Sequence, residues 1–141
     1  MKAGTLPRRT VSRLLRAARA ARRRAYAPYS RFPVGAAVLT SGGRVVTGGN
    51  VENASYGLSI CAERAAVHAA VALGHQRLVA VAVSTGRAAA APCGACRQVL
   101  AEFGIRTVIV DHPRGPEVWV LDDLLPRAFD RAALPRAVRR S

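Results

Sequence analysis

Apolar residues near the amino terminus recur at the spacing of an amphipathic helix. The residues on the apolar face are Val11, Leu14, Leu15, Ala18 and Ala21, and arginines occupy the opposite face. The segment Tyr26-Ala27-Pro28-Tyr29 follows at once and is typical of a helix stop. The pattern therefore predicts a first helix over residues 10–25, preceded by a loose tail up to about Pro7.

Shorter apolar runs, rich in valine, alternate with glycine-containing turns along the rest of the chain. These runs predict five strands, over residues 32–39, 44–48, 78–83, 107–110 and 118–121. The first run has no polar alternation, which is typical of a strand buried on both faces. The turn Ser41-Gly42-Gly43 joins it to the second run and predicts a hairpin.

Two further helices are predicted over residues 61–73 and 93–103, ended by Gly74 and Gly104, and a short helical turn over 122–126. The order α-β-β-α-β-α-β-β-α favours a three-layer α/β/α sandwich with a mixed sheet of about five strands. No repeat and no long linker divides the chain. We therefore expect one domain over residues 1–141, with a core over about 10–129 between an N-terminal tail and a basic C-terminal tail.

The charge of the chain raises the question of a polynucleotide partner. The formal net charge is +14, and 21 of the 22 basic residues are arginine. Alanine is also abundant, so a compositional bias explains much of the arginine excess, and we expect no nucleic-acid partner. The chain contains no apolar run long enough to span a membrane and no signal-peptide core. We expect a cytoplasmic protein, because its three cysteines cluster by motif rather than as a disulfide framework.

These three cysteines carry the strongest chemical signal. They lie in the motifs Cys61-Ala62-Glu63-Arg64 and Pro92-Cys93-Gly94-Ala95-Cys96. Cysteines three residues apart at the start of a helix share one side of its first turn, and a third thiolate leaves one position open on a tetrahedral zinc ion. A redox dithiol would need only the second motif, which leaves Glu63 beside the first cysteine unexplained. The pattern predicts a catalytic zinc site.

The chain resembles the small zinc-dependent cytidine deaminases over about residues 26–129. The similar segments are Tyr26-Ala27-Pro28-Tyr29-Ser30-Arg31-Phe32-Pro33-Val34-Gly35-Ala36-Ala37, Asn50-Val51-Glu52-Asn53, the two cysteine motifs extended to Leu100, and Leu124-Leu125-Pro126 with Phe129. The resemblance implies hydrolytic deamination of cytidine and deoxycytidine in pyrimidine salvage, with one Zn²⁺ per chain. It also implies a homotetramer whose active sites are shared between subunits.

The resemblance also implies roles for individual residues. Cys61, Cys93 and Cys96 would hold the zinc, and Glu63 would carry protons between water, cytosine N3 and the departing ammonia. A further set would bind the nucleoside: Asn50 and Glu52 at the sugar hydroxyl, Phe32 beside the pyrimidine, and the backbone of Ala54 and the ring of Tyr56 as pocket lining. Arg64 would donate to a ligating sulfur, or else be a solvated helix residue.

Other functions stay open at this stage. A deaminase of a modified cytosine nucleoside, of the blasticidin type, is similar in size, but Asn50 with Glu52 favours an ordinary sugar. A polynucleotide deaminase usually has a His-x-Glu first motif and extra loops, which this chain lacks. A zinc-stabilised binding module would need a fourth protein ligand. The three histidines, His68, His75 and His112, are expected to be structural or solvated, and Trp119 to lie in the core or at a subunit interface.

Overall fold

A computed structural model describes residues 4–87 and 89–139 of the chain. The described residues form these helices and strands, in order: α1 Arg8–Arg22, β1 Gly35–Thr40, β2 Val45–Gly49, α2 Ala62–Ala72, β3 Leu78–Ser84, α3 Gly94–Glu102, β4 Thr107–Val110, β5 Glu117–Val120, α4 Leu121–Leu124 and α5 Arg136–Arg139. The predicted element order up to α4 is confirmed. Two single 3₁₀ turns, Tyr56–Leu58 and Arg131–Ala133, and the short α5 are additions.

Most element boundaries differ from the sequence prediction by up to three residues, and the start of β1 differs for a visible reason. Strand β1 begins at Gly35 and not at Phe32, because the amide side chain of Asn50 takes over the hydrogen bonds of the preceding backbone. Its Oδ1 accepts from the Val34 N–H at 2.8 Å, and its Nδ2 donates to the Phe32 carbonyl at 3.0 Å. Helix α1 begins at Arg8 and ends at Arg22, so its end lies three residues before the predicted one.

The sheet has the strand order β2-β1-β3-β4-β5. Only β3 and β4 pair in parallel, and the other neighbours are antiparallel. The mixed five-stranded sheet predicted from the sequence is confirmed. Since β2 and β3 are both antiparallel to β1, they run in the same direction, and α2 connects one to the other. Helix α3 connects β3 to β4 in the same way. Both helices therefore begin at the same edge of the sheet.

The core has two parts, one on each face of the sheet, which confirms the three-layer prediction. One part packs α1 on the sheet through residues that include Leu14, Ala18 and Ile109. The other packs α2, α3 and α4 on the opposite face, and its members include Val67, Leu100 and Leu121. Trp119 packs against this second part of the core, which agrees with the predicted position in the core.

Two glycines allow the helices to lie unusually close to the sheet. A Cβ atom on Gly35 would lie 1.9 Å from the Ala18 carbonyl oxygen of α1, and a Cβ on Gly48 would lie 2.4 Å from the Ala66 backbone nitrogen of α2. Both neighbours are backbone atoms, which cannot rotate away as a side chain can. Glycine at these positions thus fixes the distance of both helices from β1 and β2.

The terminal segments are more structured than the sequence indicated. Leu6, in the predicted loose tail, packs against the α1 part of the core. In the basic C-terminal segment the Asp130 side chain accepts from the Ala132 N–H at 2.7 Å and caps the second 3₁₀ turn. None of the helices in the described part of the chain is long and apolar enough to cross a membrane.

Candidate metal centre and adjoining cavity

The three cysteines converge where α2 and α3 begin. Cys61 is the residue that precedes α2, Cys93 is the residue that precedes α3, and Cys96 lies in the first turn of α3. Their sulfur atoms all lie within 4.8 Å of one another, and Cys61 Sγ is 3.7 Å from Cys93 Sγ. Thiolates at about 2.3 Å from a tetrahedral zinc are separated by about 3.8 Å. The donor set and its spacing fit a zinc ion with one position left for a non-protein ligand.

No histidine belongs to this cluster among the described residues. His68 is exposed on α2, and His75 follows the end of that helix. The Nδ1 atom of His112 accepts from the Arg114 N–H at 3.1 Å, which holds the turn after β4. The expectation that the histidines are structural or solvated agrees with these positions.

The protein concentrates positive potential on the sulfurs. Neither α2 nor α3 has a side-chain hydrogen bond at its N-terminal cap, so the free N–H groups and the helix dipole act on the cysteines. The pKa of the Cys61 thiol is lowered to about 5, first by its hydrogen bond with Cys96 and then by those with Arg64 and Cys93. The pKa of Cys96 is raised by the same bond and by burial. Thiolate character is thus stronger at Cys61 than at Cys96.

Arg64 points back towards this cluster and not into solvent. Its Nη2 lies 3.6 Å from Cys61 Sγ, and its buried Nε has no hydrogen-bond partner among the described residues. A guanidinium group in this position donates to a sulfur ligand and withdraws charge from it. Of the two sequence interpretations, the geometry favours the one in which Arg64 supports the thiolates.

Glu63 is the one carboxylate beside the sulfurs in the described part of the chain. Its residue is 5 % exposed, and its Oε2 lies 3.8 Å from Cys96 Sγ. Burial raises the pKa of the Glu63 carboxyl, and the negative charge of Cys61 raises it further. A buried carboxyl group with a raised pKa can both accept and donate a proton near neutral pH.

A cavity of about 270 Å³ opens directly on this cluster. Four segments supply its walls: the loop before β1, the loop after β2, the start of α2, and the residues from the end of β3 to Cys93. The lining residues include Ser30, Phe32, Asn50, Glu52, Cys61, Glu63, Val83, Thr85 and Cys93. The structure thereby brings Phe32, Asn50 and Glu52 to the same space as Glu63 and two of the cysteines.

The polar side chains of this cavity are held in place by the loop before β1. Glu52 accepts hydrogen bonds from the Tyr29 and Ser30 backbone N–H groups, each at 3.0 Å, and from the Ser30 hydroxyl. These bonds lower the pKa of Glu52, the Ser30 hydroxyl contributing most. Glu52 is therefore a fixed, ionised acceptor at the mouth of the cavity. Ser30 was not singled out in the sequence, since an isolated serine carries no motif.

Ala54 and Tyr56 lie outside the cavity next to the cysteines. Both are exposed, and Tyr56 lines a neighbouring cavity with Tyr29, whose ring centre is 5.8 Å away. Neither residue lines the cavity next to the cysteines of its own chain. Their predicted role in lining a substrate pocket stays a prediction.

Two residues that follow Cys96 have a supporting function that the motif alone did not reveal. The Arg97 guanidinium donates to the Pro92 carbonyl at 2.8 Å and to the Leu124 carbonyl at 2.7 Å. The Gln98 amide donates to the Phe129 carbonyl at 2.8 Å. They tie the second cysteine motif to the C-terminal turn, although the two are distant in sequence.

Comparisons with known proteins agree with this geometry. Residues 8–112 match the family described as "Cytidine and deoxycytidylate deaminase zinc-binding region". A cytidine deaminase of Mycobacterium tuberculosis is 54% identical over 116 residues, which cover 82% of this chain and 86% of that protein. One from Halalkalibacterium halodurans is 53% identical over 120 residues, 82% of this chain and 91% of that protein. The crystal structure of cytidine deaminase from Burkholderia pseudomallei superimposes with a TM-score of 0.78 at 48% identity, covering 84% of this chain and 98% of that chain.

Proposed function

The chain belongs to the cytidine and deoxycytidylate deaminase zinc-binding family, and on this premise we propose that it hydrolyses cytidine and deoxycytidine to uridine and deoxyuridine with release of ammonia. One observation supports this above the others. Three sulfur atoms spaced for zinc and a buried carboxyl group meet at the end of a single cavity. A reaction of this kind serves the salvage of pyrimidine nucleosides.

The residues divide the chemistry between them. Cys61, Cys93 and Cys96 would hold one zinc ion, which supplies a Lewis acid that makes water nucleophilic at neutral pH. Glu63 accepts a proton from water and passes it to N3 of the cytosine ring, while the hydroxide that remains adds to C4. Glu63 then takes the proton of the new C4 hydroxyl group and gives it to the amino group, which leaves as ammonia when the C4–N bond breaks. The burial of Glu63 supports both roles, because it raises the pKa of the carboxyl group and so makes the protonated form easier to reach. Arg64 limits the negative charge that three thiolates place on the metal.

The remaining walls of the cavity support recognition of a nucleoside. Glu52 presents a carboxylate, and Asn50 an amide, beside the space in which a sugar would lie. Since Glu52 is ionised, it accepts a hydrogen bond from a sugar hydroxyl but repels a phosphate at the same position. Phe32, which is 43% exposed, offers an aromatic face to the pyrimidine ring. These contacts favour an uncharged nucleoside over a nucleotide or a nucleic-acid strand.

A panel of substrates tests this proposal directly. We expect zinc-loaded protein to convert cytidine and deoxycytidine, followed by the ultraviolet change at the cytosine ring, and to leave cytosine, cytidine monophosphate and adenosine largely unchanged. The Michaelis constant for cytidine should be insensitive to salt, whereas a strand-binding enzyme weakens steeply as salt displaces its phosphate contacts. Efficient, salt-dependent deamination of single-stranded DNA or RNA would overturn the assignment.

We also propose that the active form is a homotetramer in which neighbouring subunits complete each active site. Several large apolar side chains are exposed in the single chain, among them Tyr26, Tyr29, Val51, Tyr56, Leu58 and Phe129. A monomer rarely leaves so much apolar surface in contact with water. Ala54 and Tyr56 lie outside the cavity of their own chain, so a second copy could receive them.

Subunit mixing tests this arrangement. Chains with Tyr56→Ala and chains with Glu63→Gln should each be poorly active, and mixed assemblies should regain activity when one subunit completes the site of another. Light scattering at micromolar concentration should give four chains. A monomer that is fully active, or mixtures that recover nothing, would contradict shared sites.

Two broader features complete the proposal. The whole chain acts as one catalytic domain, since the two parts of the core lie on opposite faces of one sheet and together include elements from α1 to α4. The protein works in the cytoplasm, where a reducing environment keeps its three unpaired cysteines available for metal.

A further inference from the structure

A second cavity, of about 330 Å³, lies on the α1 side of the sheet. Its lining residues are Arg19, Arg22, Gly86, Arg87, Asp111, His112 and Pro113. The segment after β3 contributes to both cavities: Thr85, Ala90 and Ala91 line the first cavity, and Gly86 and Arg87 line the second. We call the second cavity the arginine cavity. The proposed deaminase reaction makes no use of it.

Positive charge exceeds negative charge in the arginine cavity. Arg19 forms a two-pronged salt bridge with Asp111, at 2.7 and 2.8 Å, and the Ser84 hydroxyl also donates to this carboxylate at 2.8 Å. The carboxylate of Asp111 is therefore committed to Arg19 and Ser84. Within residues 4–87 and 89–139, neither Arg22 nor Arg87 forms a salt bridge. Two guanidinium groups thus face the cavity without a salt bridge of their own, and the lining residues carry three positive charges against the one negative charge of Asp111, whose pKa is lowered by Arg19 and also by Arg22.

Packing against Gly86 restricts the Arg22 guanidinium, which forms no salt bridge with any of the described residues. It lies against Gly86, where a Cβ atom would be 1.8 Å from Nη1 and 2.4 Å from Cζ. The backbone of Arg22 is fixed as well, because a Cβ on Gly35 would lie 2.4 Å from the Arg22 nitrogen. A half-buried arginine with this contact has fewer side-chain conformations than a fully exposed one, so binding costs less conformational entropy.

We propose that the arginine cavity binds a phosphate group, either as inorganic phosphate or as the phosphate of a small phosphorylated metabolite. Guanidinium groups donate in a planar fork that matches two oxygens of a phosphate, and two such forks approach this space from different segments. The opening is a pocket bounded by α1, the loop after β3 and the turn after β4. Its size fits a small anion and not an extended strand.

Calorimetry on the full-length, zinc-loaded protein tests the site without reference to deamination. Inorganic phosphate and glycerol 3-phosphate are titrated at constant ionic strength, and each should show saturable binding if the pocket accepts free and esterified phosphate. Binding of inorganic phosphate alone restricts the site to the free anion and still supports it. Loss of one charge-assisted contact should weaken phosphate binding by about tenfold or more. Arg22→Gln and Arg87→Gln should therefore each raise the dissociation constant for inorganic phosphate by at least this factor.

The matched control is Arg23→Gln, because Arg23 is exposed, is adjacent to Arg22 and carries the same charge. It should change the dissociation constant by less than about twofold. Zinc content and far-ultraviolet circular dichroism establish that each variant is folded. Absence of saturable binding by the unmodified protein for both probes would overturn the proposal. So would an equal weakening by Arg23→Gln, which would indicate attraction by net charge alone.

Discussion

Replacing Glu63 by glutamine is the sharpest test of how the buried carboxyl group acts. The substitution keeps the size of the side chain and the hydrogen-bonding capacity of one oxygen, but it removes the exchangeable acid proton. Glu63 lies within the first turn of α2 and is 5 % exposed, and a side chain of the same size opens no new space at this position. It is not one of the clustered sulfur ligands, and zinc content should be retained.

The expected fall in kcat of Glu63→Gln follows from the number of proton transfers that Glu63 carries out. A positioned general acid or base contributes about 10²–10⁴ in rate, which corresponds to about 3–5 kcal/mol of activation free energy. Because Glu63 serves both as base and as acid, the fall in kcat should reach the upper part of this range. Other carboxylates cannot substitute for it, since Glu52 is held at the cavity mouth by Tyr29 and Ser30.

The assay combines turnover with binding and metal content. The rate of cytidine conversion is measured by ultraviolet absorbance, uridine binding by calorimetry, and zinc by elemental analysis. We expect kcat to collapse while zinc and uridine affinity stay within a few-fold of the unmodified protein. Glu102→Gln, on the exposed side of α3, serves as the charge-matched control and should keep full activity. Retention of more than about a tenth of kcat by Glu63→Gln would refute the proton-transfer role.

Three further outcomes are expected. Cys96→Ser should lose zinc and lower the unfolding temperature, because metal binding is coupled to folding; full zinc occupancy by elemental analysis would contradict the ligand set. Asp111→Asn should lower the free energy of unfolding by about 1–2 kcal/mol at neutral pH, between the values for exposed and buried ion pairs. Since Arg19 lowers the pKa of Asp111, this stabilisation is present above the unfolded pKa of about 4 and lost as pH falls through the lower folded value, so denaturant titrations of the two proteins should converge at acid pH. Gly48→Ala should cost about 1–3 kcal/mol or more, since its Cβ would meet the Ala66 nitrogen at 2.4 Å; an unchanged melting temperature would contradict the close approach of α2.

The position of the site depends on the chain topology as much as on the motifs. Helices α2 and α3 follow strands that run in the same direction, so their N-terminal ends meet at one edge of the sheet. The cysteines occupy the first positions of both helices, where the helix dipoles favour thiolates. The arginine cavity is formed at the same edge but on the opposite face, where α1 ends.

The linear sequence determined the order of the main helices and strands, which depends on local patterning. Periodicity and turn residues predicted the order of elements up to α4. They could do so because a helix or strand that is buried on one or both faces has apolar residues at a characteristic spacing. The bounds of β4, Thr107–Val110, agree with the prediction. The cysteine motifs predicted the metal ligands, since their spacing places sulfur atoms at helix starts whatever the rest of the fold does.

Contacts between segments distant in sequence were decided only by the tertiary structure. The side chain of Asn50 displaces the start of β1, and Ser30 fixes Glu52, because loops before and after the hairpin lie side by side. The pairing of Arg19 with Asp111 joins residues 92 positions apart. No periodicity encodes such pairs. They arise because the twisted sheet and its two helix layers bring these segments to one edge, where polar groups must find partners as water is excluded.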